Sequence, residues 1–76
     1  MKRSKKKDLF VIFALPQQHG RPGTIYYDNN GTITDIKSKA AKFYTFTDAT
    51  HFAKMKNIEL TASTYIGQET FSESEL

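Results

Sequence analysis

Apolar and polar positions along the chain change period three times, and each change marks an element. In "LFVIFAL" (9–15) both alternating faces are apolar, Leu9, Val11, Phe13 and Leu15 on one and Phe10, Ile12 and Ala14 on the other. That pattern predicts a strand inside a sheet rather than at its edge. Pro16 ends it, and "PQQHGRPG" (16–23), with two prolines, two glycines and no apolar anchor, predicts an irregular exposed loop. In "TIYYDNNGTITDI" (24–36), β-branched and aromatic residues flank Asn29-Asn30-Gly31. Asn and Gly supply the positive φ angles of a tight hairpin, so two strands meet there. The second of them is expected to run from Thr32 towards Phe43, with "KSKAAK" (37–42) interrupting it as a bulge or a short helical turn.

From Phe46 the period becomes helical. Thr45 and Asp48 fit a capping box, the Thr45 hydroxyl accepting an amide hydrogen bond and the Asp48 carboxylate reaching back to the helix start. At 100° per residue, Phe46, Ala49, Phe52, Ala53 and, at the margin, Met55 share one face; Thr50, His51 and Lys54 share the opposite one. Asn57 suits the left-handed position after the helix, with Ile58 folding back on it, which places the helix at about 46–56. "IELTASTYI" (58–66) predicts a last strand broken by Gly67, after which only Phe71 is apolar enough to dock and "SESEL" frays. The expected fold is α+β: a small antiparallel-rich sheet in β-β-β-α-β order with one α-helix packed on one face. Its candidate core is Phe10, Phe13, Ile25, Phe43, Phe52, Ile58 and Ile66. Residues 1–7 read as a disordered basic tail, 8–71 as a single domain and 72–76 as a frayed acidic end.

Seventy-six residues make one domain near the lower limit of independent folding, since a chain this short buries only about 60% of its unfolded surface. Without cysteine there is neither a disulfide framework nor a thiolate metal site. The longest apolar run, Leu9–Leu15, falls well short of the ~20 residues that cross a bilayer. A lysine-rich start before that run resembles a secretory leader, but Asp8 abuts the run and "PQQHG" offers no small-residue cleavage site. A cytoplasmic protein is expected, with Asn30-Gly31-Thr32 serving as turn chemistry rather than as a glycosylation site.

Charge is segregated. The net charge is +3, yet Lys2, Arg3, Lys5, Lys6 and Lys7 all precede residue 8, so the remaining six cations face eight carboxylates and the body is slightly acidic. Within it, Lys37, Lys39, Lys42, Lys54 and Lys56 cluster before Glu59, and Glu59, Glu69, Glu73 and Glu75 follow with no cation. The acidic end and the lysines can therefore meet, within one molecule or between two.

Catalytic signatures are sparse. His19 and His51 are the two imidazoles, with no paired-carboxylate or His-x₃-His spacing around them, so no metal or other cofactor is expected. Asp48 and His51 are three apart and could touch across a helical turn, but no glycine-flanked serine or phosphate-cradling loop accompanies them. An enzyme is not expected. "GRPG" (20–23) has the G-x-x-G spacing of the nucleotide-clamping loop of KH domains, between strands instead of helices. It leaves His19 and Arg21 as candidate binding residues. Tyr26 and Tyr27 are adjacent on a strand, so one ring points away from the core, half-buried or free to stack.

The stretch "AKFYTFTDATHFAKMKNIEL" (41–60) has the form A-x-F, then T-x-x-D-A-x-x-F-A, then I. It resembles a unit common in small phage and prophage host-interaction proteins, including anti-CRISPR and early host-takeover types. The resemblance implies a small cytoplasmic protein that acts by binding, commonly to a host protein that handles nucleic acid; the short apolar run argues separately against a membrane partner. Its contacts are expected from His19, Arg21, Thr50, His51 and Lys54, with the exposed sheet edge as a further surface. The alternative is direct, non-specific DNA or RNA binding through Lys2, Arg3, Lys5, Lys6 and Lys7 together with Lys37, Lys39 and Lys42.

Overall fold

In the computed structural model, residues 6–14 and 24–76 are described. The expected "PQQHGRPG" loop, with His19 and Arg21, and the cations Lys2, Arg3 and Lys5 lie outside the described residues. Four strands, β1 (Lys6–Ala14), β2 (Ile25–Tyr27), β3 (Ile33–Thr34) and β4 (Thr64–Ser72), form one antiparallel sheet in the order β3-β2-β1-β4, and one helix, α1 (Phe46–Met55), follows β3. The α+β fold with β-β-β-α-β order is the one expected. As its doubly apolar pattern requires, β1 is an interior strand.

Alternation along β1 separates two cores. Phe10, Ile12 and Ala14 face α1, where the Phe10 ring meets Phe46 edge-on with centroids 6.1 Å apart. Ala49 and Ala53 are fully buried on the inner side of the helix. Two alanines one turn apart let the helix backbone come close to the sheet, at the cost of large side chains in the interface. The opposite face carries Leu9 and Val11, clustered with Tyr26, Ala40 and Phe71 and flanked by Phe13. A 3-10 turn at Lys37–Lys39 and another at Glu73–Glu75 close over that face, and the Lys37 and Lys42 ammonium groups each stand 5.2 Å from the Phe71 ring centre.

Several boundaries differ from the sequence expectation, each for a physical reason. Lys6 and Lys7 belong to β1 and not to a tail, because β4 is long enough to pair them with Ser72 and Phe71. The residues after Thr34 leave the sheet: Lys37–Lys39 is the anticipated helical turn, and the chain returns only as single bridges, Ala40 to Asp28 and Phe43 to Phe10. Residues 58–63 are not strand. The last strand starts at Thr64 and runs unbroken through Gly67 to Ser72, in nine-for-nine register with β1. Glu73–Glu75 is not frayed, because the Glu75 carboxylate accepts from the Ser72 backbone N–H at 2.8 Å and the Ser72 side chain caps in return. Among the seven core candidates Ile25 is buried and the others are partly exposed, while Val11, Ile12, Ala40, Ala41, Ala49, Ala53 and Phe71 are the described residues all but removed from solvent.

Candidate functional site

Local chemistry fixes how α1 is presented. Thr45 is its N-cap, its hydroxyl accepting from the Asp48 N–H at 3.0 Å. At the other end Asn57 has φ 59°, the Asn57 N–H reaches the Lys54 carbonyl at 3.2 Å and the Ile58 N–H reaches the Ala53 carbonyl at 2.8 Å. These are the two bonds of a Schellman closure, with Asn in the position usually taken by Gly. Both ends of the helix are thereby fixed, and the burial of Ala49 and Ala53 against the sheet sets which face is turned outward.

Helical spacing puts three of the five expected binding residues together on that outward face. Thr50, His51 and Lys54 line one shallow depression of about 380 Å³ with Phe46 and Thr47. The Thr50 hydroxyl donates back to the Phe46 carbonyl at 2.9 Å, which leaves its methyl group for the depression. Phe46, on the apolar face of the helix with Ala49, Phe52 and Ala53, is 55% exposed. With Ala49 and Ala53 at the centre of the buried stripe, Phe46 sits on its shoulder, touching Phe10 with one edge and solvent with the rest. Its place as the first helical residue, at the open end of the apolar stripe, is the signal that could have marked it. Met55, at the other margin, is likewise exposed.

Asp48 and His51, three apart on α1, are joined by no hydrogen bond or ion pair among the described residues. No group of three or more metal-ligating side chains is present among the described residues.

The lysines of 37–42 are mostly spent inside the molecule. Lys37 bridges Glu75 at 3.3 Å and Glu69 at 3.7 Å, the intramolecular meeting of lysines and acidic end that the charge pattern allows. Lys42 donates to the Ser38 and Ala40 carbonyls at 2.8 and 2.9 Å, and burial of its ammonium group lowers its pKa. Lys39 is exposed beside Asp28, Asn29 and Asn30. At the start of β1, Lys7 stands 5.6 Å from the Tyr44 ring centre and lines a smaller recess of about 210 Å³ with Leu9, Lys42, Tyr44 and Leu76.

Of the two adjacent tyrosines, Tyr26 is the buried one and Tyr27 the half-buried one. The Tyr26 hydroxyl donates to Glu69 Oε2 at 3.1 Å, and burial together with that carboxylate pushes its pKa up to about 12. Tyr26 is a structural residue, shut off from stacking on a base.

Among the described residues no helix is long and apolar enough to cross a membrane. No family model matches the chain, and no curated protein or solved structure matches it either.

Proposed function

We propose that this chain acts by binding and not by catalysis: a small cytoplasmic interaction protein of phage or prophage origin that docks the outer face of α1 on a host protein handling nucleic acid, and modulates it. The observation that carries the reading is the exposed Phe46 ring beside Thr50, His51 and Lys54 in one depression. Exposed aromatic side chains are enriched at interface centres, and a lysine with small polar groups beside one suits the polar rim around it. The partner chemistry that fits is an apolar side chain for Phe46 next to a carboxylate for Lys54. The class of the partner rests on the resemblance of residues 41–60 to phage host-interaction proteins.

The test is affinity capture from host lysate with nuclease added, comparing the wild type with Phe46→Asp, with the double variant His51→Ala, Lys54→Glu, and with Lys39→Glu as a control on another surface. The expected result is one host protein retained by the wild type and by Lys39→Glu and lost by the other two. Recovery of the same protein at equal yield by all four overturns the α1 face as the site. Capture that vanishes when nuclease is added to the wild type favours direct nucleic-acid binding instead.

A further inference from the structure

The outer edge of β4 carries information that the helix face does not. Phe10 exchanges both of its backbone hydrogen bonds with Phe43, at 2.8 and 2.9 Å, so its N–H and C=O point away from β4. Phe10 stands opposite Gln68. In an antiparallel ladder such a pair turns the backbone groups of both residues outward, and every second residue does the same. The outward groups of β4 are therefore those of Thr64, Ile66, Gln68, Thr70 and Ser72. Two local bonds agree with that assignment and close the ends of the edge: the Thr64 carbonyl accepts from the Thr61 N–H at 2.7 Å, and the Ser72 N–H donates to Glu75 at 2.8 Å. Between these stops, Ile66, Gln68 and Thr70 present three N–H and three C=O groups with no partner among the described residues.

Sheet edges are normally guarded by lysine, proline, a bulge or an inward charge. In "TYIGQETFS" there is no lysine and no proline, and its nine-for-nine pairing with β1 leaves no bulge. The one charge, Glu69, is held by Tyr26 and Lys37.

We propose that β4 pairs antiparallel with β4 of a second copy of this chain, about a twofold axis at Gln68. Pairing of a strand with itself is antiparallel by symmetry, and the axis lies normal to the sheet. Gln68 then exchanges two hydrogen bonds with its symmetry mate, and Ile66 exchanges two with Thr70 of the other copy on each side of the axis. All six free groups are satisfied, and none is left over. Side chains agree with this register. Glu69 falls opposite Gly67, so like charges do not meet directly, and the half-exposed Tyr65 falls opposite Phe71. The two four-stranded sheets become one continuous sheet of eight strands. Because the axis is normal to the sheet, both copies of α1 lie on the same face. A contact through one strand edge belongs with the small, weak interfaces below the ~1,600 Å² standard size, so a dimer with a Kd of micromolar order is expected.

The experiment is sedimentation velocity on the full chain between ~1 and ~100 μM, a range that spans dissociation of a micromolar dimer. The wild type is expected to be dimeric at the upper end and to dissociate on dilution. Gln68→Lys and Gln68→Glu, at an exposed position, are each expected to keep the wild-type circular dichroism and to remain monomeric, because identical charges meet on the axis. An equimolar mixture of the two is expected to dimerise again. A wild type that is monomeric at the upper concentration overturns the proposal, as does a dimer that survives Gln68→Lys. A mixture that stays monomeric overturns the axis at Gln68. These readouts do not involve the variants at Phe46, His51, Lys54 and Lys39, so dimerisation and partner capture fail or succeed separately.

Discussion

The Phe13 ring lies across Gly67: a β-carbon added to the glycine would stand 2.8 Å from Phe13 Cε2. The ring cannot swing aside freely, since it packs between Tyr26 and Tyr65 with centroids 5.6 and 5.3 Å away. Gly67 is therefore not a strand breaker but the gap into which a cross-strand aromatic fits. A glycine inside a strand commonly marks such a close approach.

Gly67→Ala is expected to destabilise the fold by about 1–3 kcal/mol, the usual cost of overpacking a filled site. Urea unfolding followed by circular dichroism measures it. Adding Phe13→Leu should recover part of that loss, so the two changes are expected to couple in a double-mutant cycle; strictly additive losses would show that the ring is not what the new methyl group meets.

Tyr26 and Glu69 give the protein an alkaline limit. The folded-state pKa of Tyr26 is about 12, above its ordinary value of 10.0. A group raised in this way contributes its stabilisation fully below the unfolded pKa and loses it as pH rises towards the folded one. Stability is expected to fall between about pH 10 and 12 by on the order of 2–3 kcal/mol. Tyr26→Phe should abolish that fall, and phenolate absorbance should show its late titration step missing.

The two ends of α1 predict opposite responses to small changes. Thr45→Ala removes the acceptor of the Asp48 N–H and is expected to cost about 1 kcal/mol. At Asn57, where φ is 59°, Asn57→Gly should be neutral or stabilising, whereas Asn57→Ala should cost about 1 kcal/mol because a β-carbon disfavours the left-handed region. Thermal melts of the three variants rank them.

Acid should loosen the hairpin and the C-terminal turn. The Thr32 backbone N–H, with the Thr32 hydroxyl and the Asn30 N–H, holds the Asp28 carboxyl below its ordinary pKa. The Ser72 N–H, with Lys37, does the same for Glu75. Both folded pKa values are depressed, so this stabilisation is present above the unfolded carboxylate values and is lost as pH falls through the folded ones. Asp28→Asn and Glu75→Gln are each expected to flatten the acid limb of a stability–pH curve. An unchanged limb in both would remove these carboxylates as its cause.

What could be read in advance was local. The doubly apolar run at 9–15 made an interior strand, Asn29-Asn30-Gly31 made a hairpin, Thr45 and Asn57 bounded a helix, and Lys37–Lys39 made a helical turn. Each depends on the backbone preferences of a few neighbouring residues, so a short window of chain suffices. Of the candidate site, Thr50, His51 and Lys54 were legible by the same helical arithmetic, because residues three or four apart share a face wherever the helix packs.

Burial was not local. Phe46 shares the apolar stripe of the helix, yet the buried centre of α1 is Ala49 and Ala53, because the sheet offers the helix a close approach and not a deep groove. Gly67 looked like a break until Phe13, 54 positions earlier, was laid across it by the β1–β4 register. The charge pattern allowed the lysines and the acidic end to meet, but that Lys37 pairs with Glu69 and Glu75, and that Lys37 and Lys42 stand over Phe71, came only with the closed sheet. The chain alone determined which elements form and which side chains share a face, since backbone preference and periodicity act within a few residues. Which face is buried, which cation is neutralised and which strand edge is left open were decided by contacts between segments far apart in sequence, and those exist only after the sheet has closed.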